Sequence, residues 1–178
     1  AAVTARIIAE PQLDRLPATE LSADLPDGAV HGAREVYDER HGGFRQAQKF
    51  PTPVKWSFLL HMYRRTGDRD LAEMINRSSQ AMTRGGLYDH VGGGIHRYTV
   101  DPDWTVPHFE KMLYDNAQMA GLLLEAGVAL ERPELTDAGT DILDFMLRDL
   151  RDQRDQHDQH DQHDQHDQHE ATGPAATG

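Results

Sequence analysis

The chain has 178 residues, 38% of them hydrophobic, which suits one ordinary domain with a core of its own. Its net charge of −12 is shared between the body of the chain and the C-terminal tail. With no basic face in either part, the composition argues against nucleic acid and anionic membrane as partners. The absence of cysteine rules out disulfides, thiolate metal sites and thiol redox chemistry within the chain.

No apolar run is long enough to cross a bilayer, and the N-terminus lacks the charged-then-apolar order of a signal peptide. A soluble, cytoplasmic protein is expected. The chain begins Ala-Ala-Val without an initiator Met, which suits a processed end or an excerpt. Residues 1–28 carry Pro11, Pro17 and Pro26 and no sustained helical period, so they read as a linker. A short helical segment is expected over 30–39, ending at His41-Gly42-Gly43-Phe44. Thr52 then looks like an N-cap with Pro53 at the first helical position, followed by Val54, Phe58 and Met62 and a stop at Thr66-Gly67. Asp68 starts a second helix with Leu71, Met74, Ile75, Ser78 and Met82 on one face, ended by Gly85-Gly86. Phe109, Met112, Leu113, Asn116, Ala120, Leu123 and Leu124 trace a long helix to about residue 130, with Pro107 to Glu110 reading as its start. Pro133 opens a fourth, carrying Leu135, Ala138, Ile142, Phe145, Met146 and Leu150.

These helices repeat. A shift of 64 lays residues 71–82 over 135–146 and 56–65 over 120–129. Helix, short turn, helix and Gly-rich insertion therefore form one unit, and His41 to Phe44 looks like the end of an earlier copy. A helical-hairpin array buries its apolar faces between neighbours, as an open superhelix or a closed toroid. Long Gly-rich insertions at the same end of every hairpin favour the toroid, where such loops ring the mouth of a central cavity.

The segments "HGGFRQAQKFPTP", "RRTGD", "MTRGGLYDHVGGGIHRYTVD" and "WTVPHFEKMLYDNAQMA" resemble proteins that join an N-terminal thioredoxin-like domain to a helical toroid. That family includes the spermatogenesis-associated thioredoxin-domain proteins, and the resemblance runs from Tyr37 to Leu150. It implies an all-α (α/α)6 barrel similar to six-hairpin glycosidases and N-acylglucosamine 2-epimerases, with Gly-rich β-like insertions between hairpins. The thioredoxin-like domain would precede Ala1, and two to three hairpins are present where six close the ring. The expected organisation is a linker (1–28), hairpins of a truncated toroid (29–150) and a low-complexity tail (151–178). "GGFRQAQKFP" departs from the smaller, Gly-rich segment usual in the family at this point.

The candidate chemistry lies in "GGLYDHVGGGIHRYTVDPDWTVPHFEKMLYDN", residues 85–116. Gly92-Gly93-Gly94 suits a tight turn or a ligand cradle, but lacks the Lys-Ser or Lys-Thr of a phosphate loop. His90, His96 and His108, with Asp89, Glu110 and Asp115, are the candidates for proton transfer near neutral pH. Arg97, Tyr98, Trp104, Tyr114 and Lys49 are the candidate substrate contacts, through charge or by stacking on a sugar face. Each also has an ordinary structural reading, as a packed or ion-paired side chain. The histidines lack the compact spacing of a zinc site, so no metal or cofactor is expected.

The tail carries five Asp-Gln-His triplets ending at His169. Three residues turn a helix by about 300°, so no stripe persists, and with nothing to bury the segment is expected to be disordered. Its histidines could hold zinc, copper or nickel weakly, but the repetition reads as repeat expansion. Three functions stay open at this stage. One is an enzyme-like site for a sugar or small metabolite, of epimerase, isomerase or glycosidase type. Another is a non-catalytic scaffold for the thioredoxin-like domain, and the third a truncated inactive product.

Overall fold

The computed structural model describes residues 24–151. Most of the expected linker and all but the first residue of the expected disordered tail lie outside the described residues. The chain divides at Val36 into two units. The first contributes helix α1, Leu25–Glu35, with Pro26 in its first turn, Asp27 near its N-terminus and Arg34 near its C-terminus, as the helix dipole favours. It starts and ends earlier than the expected 30–39 segment, because Pro26 supplies a start that the apolar pattern did not show.

The second unit holds two helical hairpins. Helices α2 (Pro53–Thr66) and α3 (Arg69–Arg84) form one; α4 (Leu113–Ala129) and α5 (Pro133–Phe145) form the other, with a π-helical turn, Met146–Leu150, continuing α5. Among the described residues the only extended pairing is through isolated bridges. Pro53 begins α2 as expected, but Thr52 makes no side-chain cap. Pro53 bars its neighbour from the right-handed helical region, and Thr52 sits at φ 43°. Gly67, at φ 69°, closes α2 through its amide to the Tyr63 carbonyl at 2.8 Å. Asp68 caps α3, its Oδ1 accepting from the amides of Asp70 and Leu71. The stripe Leu71, Met74, Ile75, Ser78 and Met82 is buried as its period requires.

Helix α4 begins at Leu113, later than expected. Residues 106–110 are extended instead, held by Val100 and Arg97 amides on the Val106 and Glu110 carbonyls and by the His108 amide on Tyr98. Pro107 to Glu110 is therefore not a helix start. Helix α5 begins at Pro133, 64 positions after α3 begins at Arg69, so the hairpins repeat as the sequence implied. Packing sets α2 beside α4 and α3 beside α5, two layers of helices that bury Trp56, Leu59, Ile75, Met82, Met119, Leu123 and Ile142 between them. Each such side chain contributes on the order of 1.5–3 kcal/mol against chain entropy.

A second repeat joins the hairpins. Residues 37–44, "YDERHGGF", and 88–95, "YDHVGGGI", fold into the same turn, bridged Tyr37 to Phe44 and Tyr88 to Ile95. In each, the aspartate amide bonds the carbonyl of the second positive-φ glycine, Gly43 or Gly94. Each carboxylate caps two amides, those of Arg40 and His41 for Asp38 and of Val91 and Gly92 for Asp89. A lysine then clamps each turn. Lys49 Nζ donates to Asp38 Oδ2 (2.7 Å) and to the Gly42 (3.0 Å) and Phe44 (2.7 Å) carbonyls, and Lys111 Nζ to Asp89 Oδ2 (2.7 Å) and the Gly93 carbonyl (2.6 Å). Gly94 must be glycine twice over: its φ is 76°, and a Cβ there would lie 2.4 Å from the Phe145 ring.

Candidate functional site

The second copy of this turn is longer than the first by a β-like hairpin, residues 96–110, and most of the predicted site lies on it. Its outer segments pair through Thr99, which bridges Lys49 on one side and Pro107 on the other. The next residues in each segment are then cross-strand neighbours. Phe50 stacks on Tyr98 (4.7 Å, 25° between planes), and Tyr98 stacks on His108 (4.7 Å, 13°). The tip is tied by Asp101, whose carboxylate accepts from the amides of Asp103, Thr105 and Val106.

At the open side of this row, Arg97 donates to Glu110 Oε2 at 3.1 Å, and His108 Nδ1 lies 3.8 Å from the same oxygen. The Glu110 hydrogen bond holds the Arg97 guanidinium above its ordinary value, with the Tyr114 hydroxyl and the Asp115 carboxylate close by. Asp115 enters this group from the first turn of α4. Its Oδ2 is buried with no hydrogen-bond partner among the described residues. Burial and the Glu110 charge push its carboxyl up, against the pull of Arg97. Tyr114 stands beside it, half exposed.

His96 is buried, edge-on to Phe109 at 5.2 Å, and its Nδ1 has no hydrogen-bond partner among the described residues. Burial first, then the Lys111 ammonium, holds its imidazole below the usual value, with the Asp89 carboxylate opposing. Burial thus favours the neutral His96 ring, whose Nδ1 is unpaired, beside a partly exposed group of one histidine, one arginine and two carboxylates.

Three expected site residues stand apart. His90 is exposed, with Nε2 at 3.1 Å from the Gly85 carbonyl oxygen and its ring edge-on to Tyr88; none of these contacts reaches the Arg97–Glu110 group. Lys49 was expected at the surface or in the cavity. It is 1% exposed, and its three oxygen partners use all three ammonium hydrogens. Trp104 was a candidate stacking platform. It is buried at φ 63°, with Nε1 donating to the His41 carbonyl at 3.0 Å and its ring where a Cβ on Gly43 would lie, 2.6 Å away. Both belong to the packing between the two turns: the Lys49 ammonium lies 5.8 Å from the Trp104 ring centroid.

Sequence reasoning missed Phe50 as the end of the aromatic row, Lys111 as the second clamp and Asn116 as the anchor. The Asn116 side chain accepts from the Ile95 amide (2.7 Å) and donates to the Ile95 and Met112 carbonyls, pinning the turn onto α4. The signal for Lys111 was present in the paired Tyr-Asp-x3-Gly-Gly strings. Among the described residues no three His, Asp or Glu side chains gather as metal ligands, and no helix is long and apolar enough to cross a membrane.

No family model matches the chain. Human spermatogenesis-associated protein 20 is 45% identical to it over 120 residues, 65% of this chain and 15% of the relative; the rat protein is 41% identical over 121 residues, with the same coverage. This segment is homologous to spermatogenesis-associated protein 20. It spans about 15% of the length of those relatives. Among solved structures, the fold is similar to cellobiose 2-epimerase from Spirochaeta thermophila, with TM-score 0.66, 23% identity and coverage of 74% of this chain and 35% of that one. It is also similar to cellobiose 2-epimerase from Bacillus thermoamylovorans, with TM-score 0.60, 16% identity and coverage of 69% and 36%. The described fold is thus that of part of an (α/α)6 toroid, and the Gly-rich turn with its 96–110 hairpin is the insertion between the two helical hairpins.

Proposed function

We propose that this segment forms part of a sugar-binding, acid–base site at the mouth of an α/α toroid. The observation that carries the reading is the convergence on one exposed hairpin of Arg97, Glu110 and His108 with Asp115, Tyr114 and the unpartnered ring of His96. Such a group offers what an epimerase- or isomerase-type proton transfer needs: a neutral imidazole as base, a second imidazole as acid, and a guanidinium to hold a developing oxyanion. The Tyr98 row supplies an aromatic wall of the kind that packs on pyranose faces. The likeness in fold to two cellobiose 2-epimerases supports a sugar as the ligand.

The test uses glucose, mannose and cellobiose in D2O. Proton transfer next to the carbonyl carbon exchanges the C2 hydrogen for deuterium, which NMR detects directly. Activity is expected in the spermatogenesis-associated protein 20 homologue containing this segment, and His96→Gln and His108→Gln should each remove it while leaving the unfolding midpoint nearly unchanged. Exchange that survives both substitutions would place the chemistry elsewhere.

A second reading, the scaffold for a thioredoxin-like domain, draws on the apolar residues beside the site. Phe109 is 83% exposed and Leu113 and Val106 at least half. It predicts no exchange and no sugar-induced shift in melting temperature, with Phe109→Ser weakening association with the thioredoxin-like domain instead.

A further inference from the structure

The opposite end of the hairpins carries a separate groove of about 300 Å³, where the first two turns of α3 face the α4–α5 turn. It lies where α2 and α4 end and α3 and α5 begin, and shares no lining residue with the Arg97–Glu110 group. Its volume is at the lower end of the range of small-molecule sites. Arg69, Glu73 and Asn76 line one wall from a single face of α3, and Tyr63, Glu131 and Arg132 contribute from the neighbouring turns.

The two hairpin turns should be equivalent, and they differ just here. In the first, Gly67 holds the left-handed position (φ 69°) and Asp68 caps the next helix with its side chain. At the positions 64 residues on, the second turn carries Glu131 and Arg132. Glu131 adopts the same left-handed conformation, φ 55°, which a residue with a Cβ enters only under strain. Arg132 stands at the N-cap of α5 and makes no side-chain cap, and a cation there opposes the helix dipole. Local preference is thus overridden at two consecutive positions, and both line the groove. Departures of this kind are expected where a site imposes its own demands.

The charges in the groove are not spent on each other. Among the described residues the side chains of Arg69, Glu73 and Glu131 make no hydrogen bond or ion pair, and Arg132 makes one, Nε to Asn76 Oδ1 at 3.3 Å. Two guanidinium groups and two carboxylates, all on exposed residues, therefore line one small, partly apolar groove together with Ala129 and Leu130. A simple anion would meet the carboxylates, and a simple cation the guanidinium groups. A ligand carrying both charges close together satisfies the set.

We propose that this groove binds a small zwitterion of the α-amino-acid class, its carboxylate on Arg69 and Arg132 and its ammonium on Glu73 and Glu131. The test is amide-resolved NMR titration of the 178-residue chain with L-leucine, beside 4-methylpentanoate and 3-methylbutylamine, which each lack one of the two charges. L-leucine is expected to shift the amides of residues 69–76 and 129–132 saturably, with each single-charge analogue about tenfold weaker or more. Arg132→Gln should weaken the response. Glu131→Gly should abolish it while raising the melting temperature, a combination that unfolding cannot produce. Equal responses to L-leucine and 4-methylpentanoate, no saturable response at all, or full binding by Glu131→Gly would overturn the proposal.

Discussion

Replacing Lys49 by methionine removes a charge and keeps the shape of the stem. The ammonium is 1% exposed, and it satisfies a carboxylate 12% exposed and two buried carbonyl groups. Deleting one member of a buried ion pair costs about 3–5 kcal/mol, chiefly because its partner is left uncompensated. Asp38 keeps two amide donors and the His41 ring, which places the expected loss near the lower end, about 3 kcal/mol. The second clamp provides the internal control. Lys111 is 18% exposed and Asp89 27%, so solvent can replace part of what Lys111→Met removes, and the expected cost is about 1–2 kcal/mol. Urea unfolding followed by circular dichroism measures both, provided the m-values stay equal. Adding Asp38→Asn to Lys49→Met should cost at least about 1 kcal/mol less than the two single changes together, because the pair is coupled. Equal losses for the two lysines, or a Lys49→Met cost below about 1 kcal/mol, would refute the account of Lys49 as a buried clamp.

Further outcomes follow from the same geometry. Glu131→Gly should raise stability by roughly 0.5–1 kcal/mol, since relief of the left-handed strain exceeds the added entropy of the unfolded chain; Gly67→Ala should lower it by about 1 kcal/mol, and thermal melts compare the two. Asn116→Ala leaves the buried Ile95 amide and carbonyl unpaired and should cost about 2–3 kcal/mol, with hydrogen exchange at Ile95 rising before that in the helices. Burial would raise Asp38, but the Lys49 and His41 contacts overrule it, and the Gly92, Lys111 and Val91 contacts lower Asp89 outright. The unfolded chain then binds more protons than the folded one. Their contribution is complete above the unfolded value of about 4 and is lost as pH falls below it toward the folded values, so Asp38→Asn should flatten the melting temperature across that acid limb. His96, lowered mainly by burial, acts in the same direction at higher pH. Stability falls as pH drops below about 6.5 and the unfolded imidazole protonates, and His96→Gln should remove that part of the slope.

Much of the fold was legible because it obeys local rules. The 3.6-residue stripes, the Asp68 cap and the Pro53 and Pro133 starts each act within a few residues, so their sequence signal is complete where it stands. The start of α4 was misread because Pro107, His108, Phe109 and Glu110 satisfy a helix-start pattern locally, while their backbone groups bond across to residues 97–100. No local signal weighs that pairing. The site was legible as a region. The proximity of His108, Arg97 and Glu110 to Asp115 needed the hairpin register, and the withdrawal of Lys49 and Trp104 into the packing needed the contact between two turns far apart in the chain.

The sequence by itself determined the helices, their pairing into hairpins, the 64-residue repeat and the Gly-rich turn that recurs with them, because propensity, capping and periodicity are properties of short stretches. Tertiary structure alone decided which charged and aromatic side chains face solvent. Lys49 and Lys111 occupy corresponding places after corresponding turns, and one is sealed while the other stays partly open. The difference is what packs on top. A tryptophan from the 96–110 hairpin lies against the first turn, while Phe145 at the end of α5 lies beneath the second, and burial of that kind depends on neighbours that no single stretch of sequence contains.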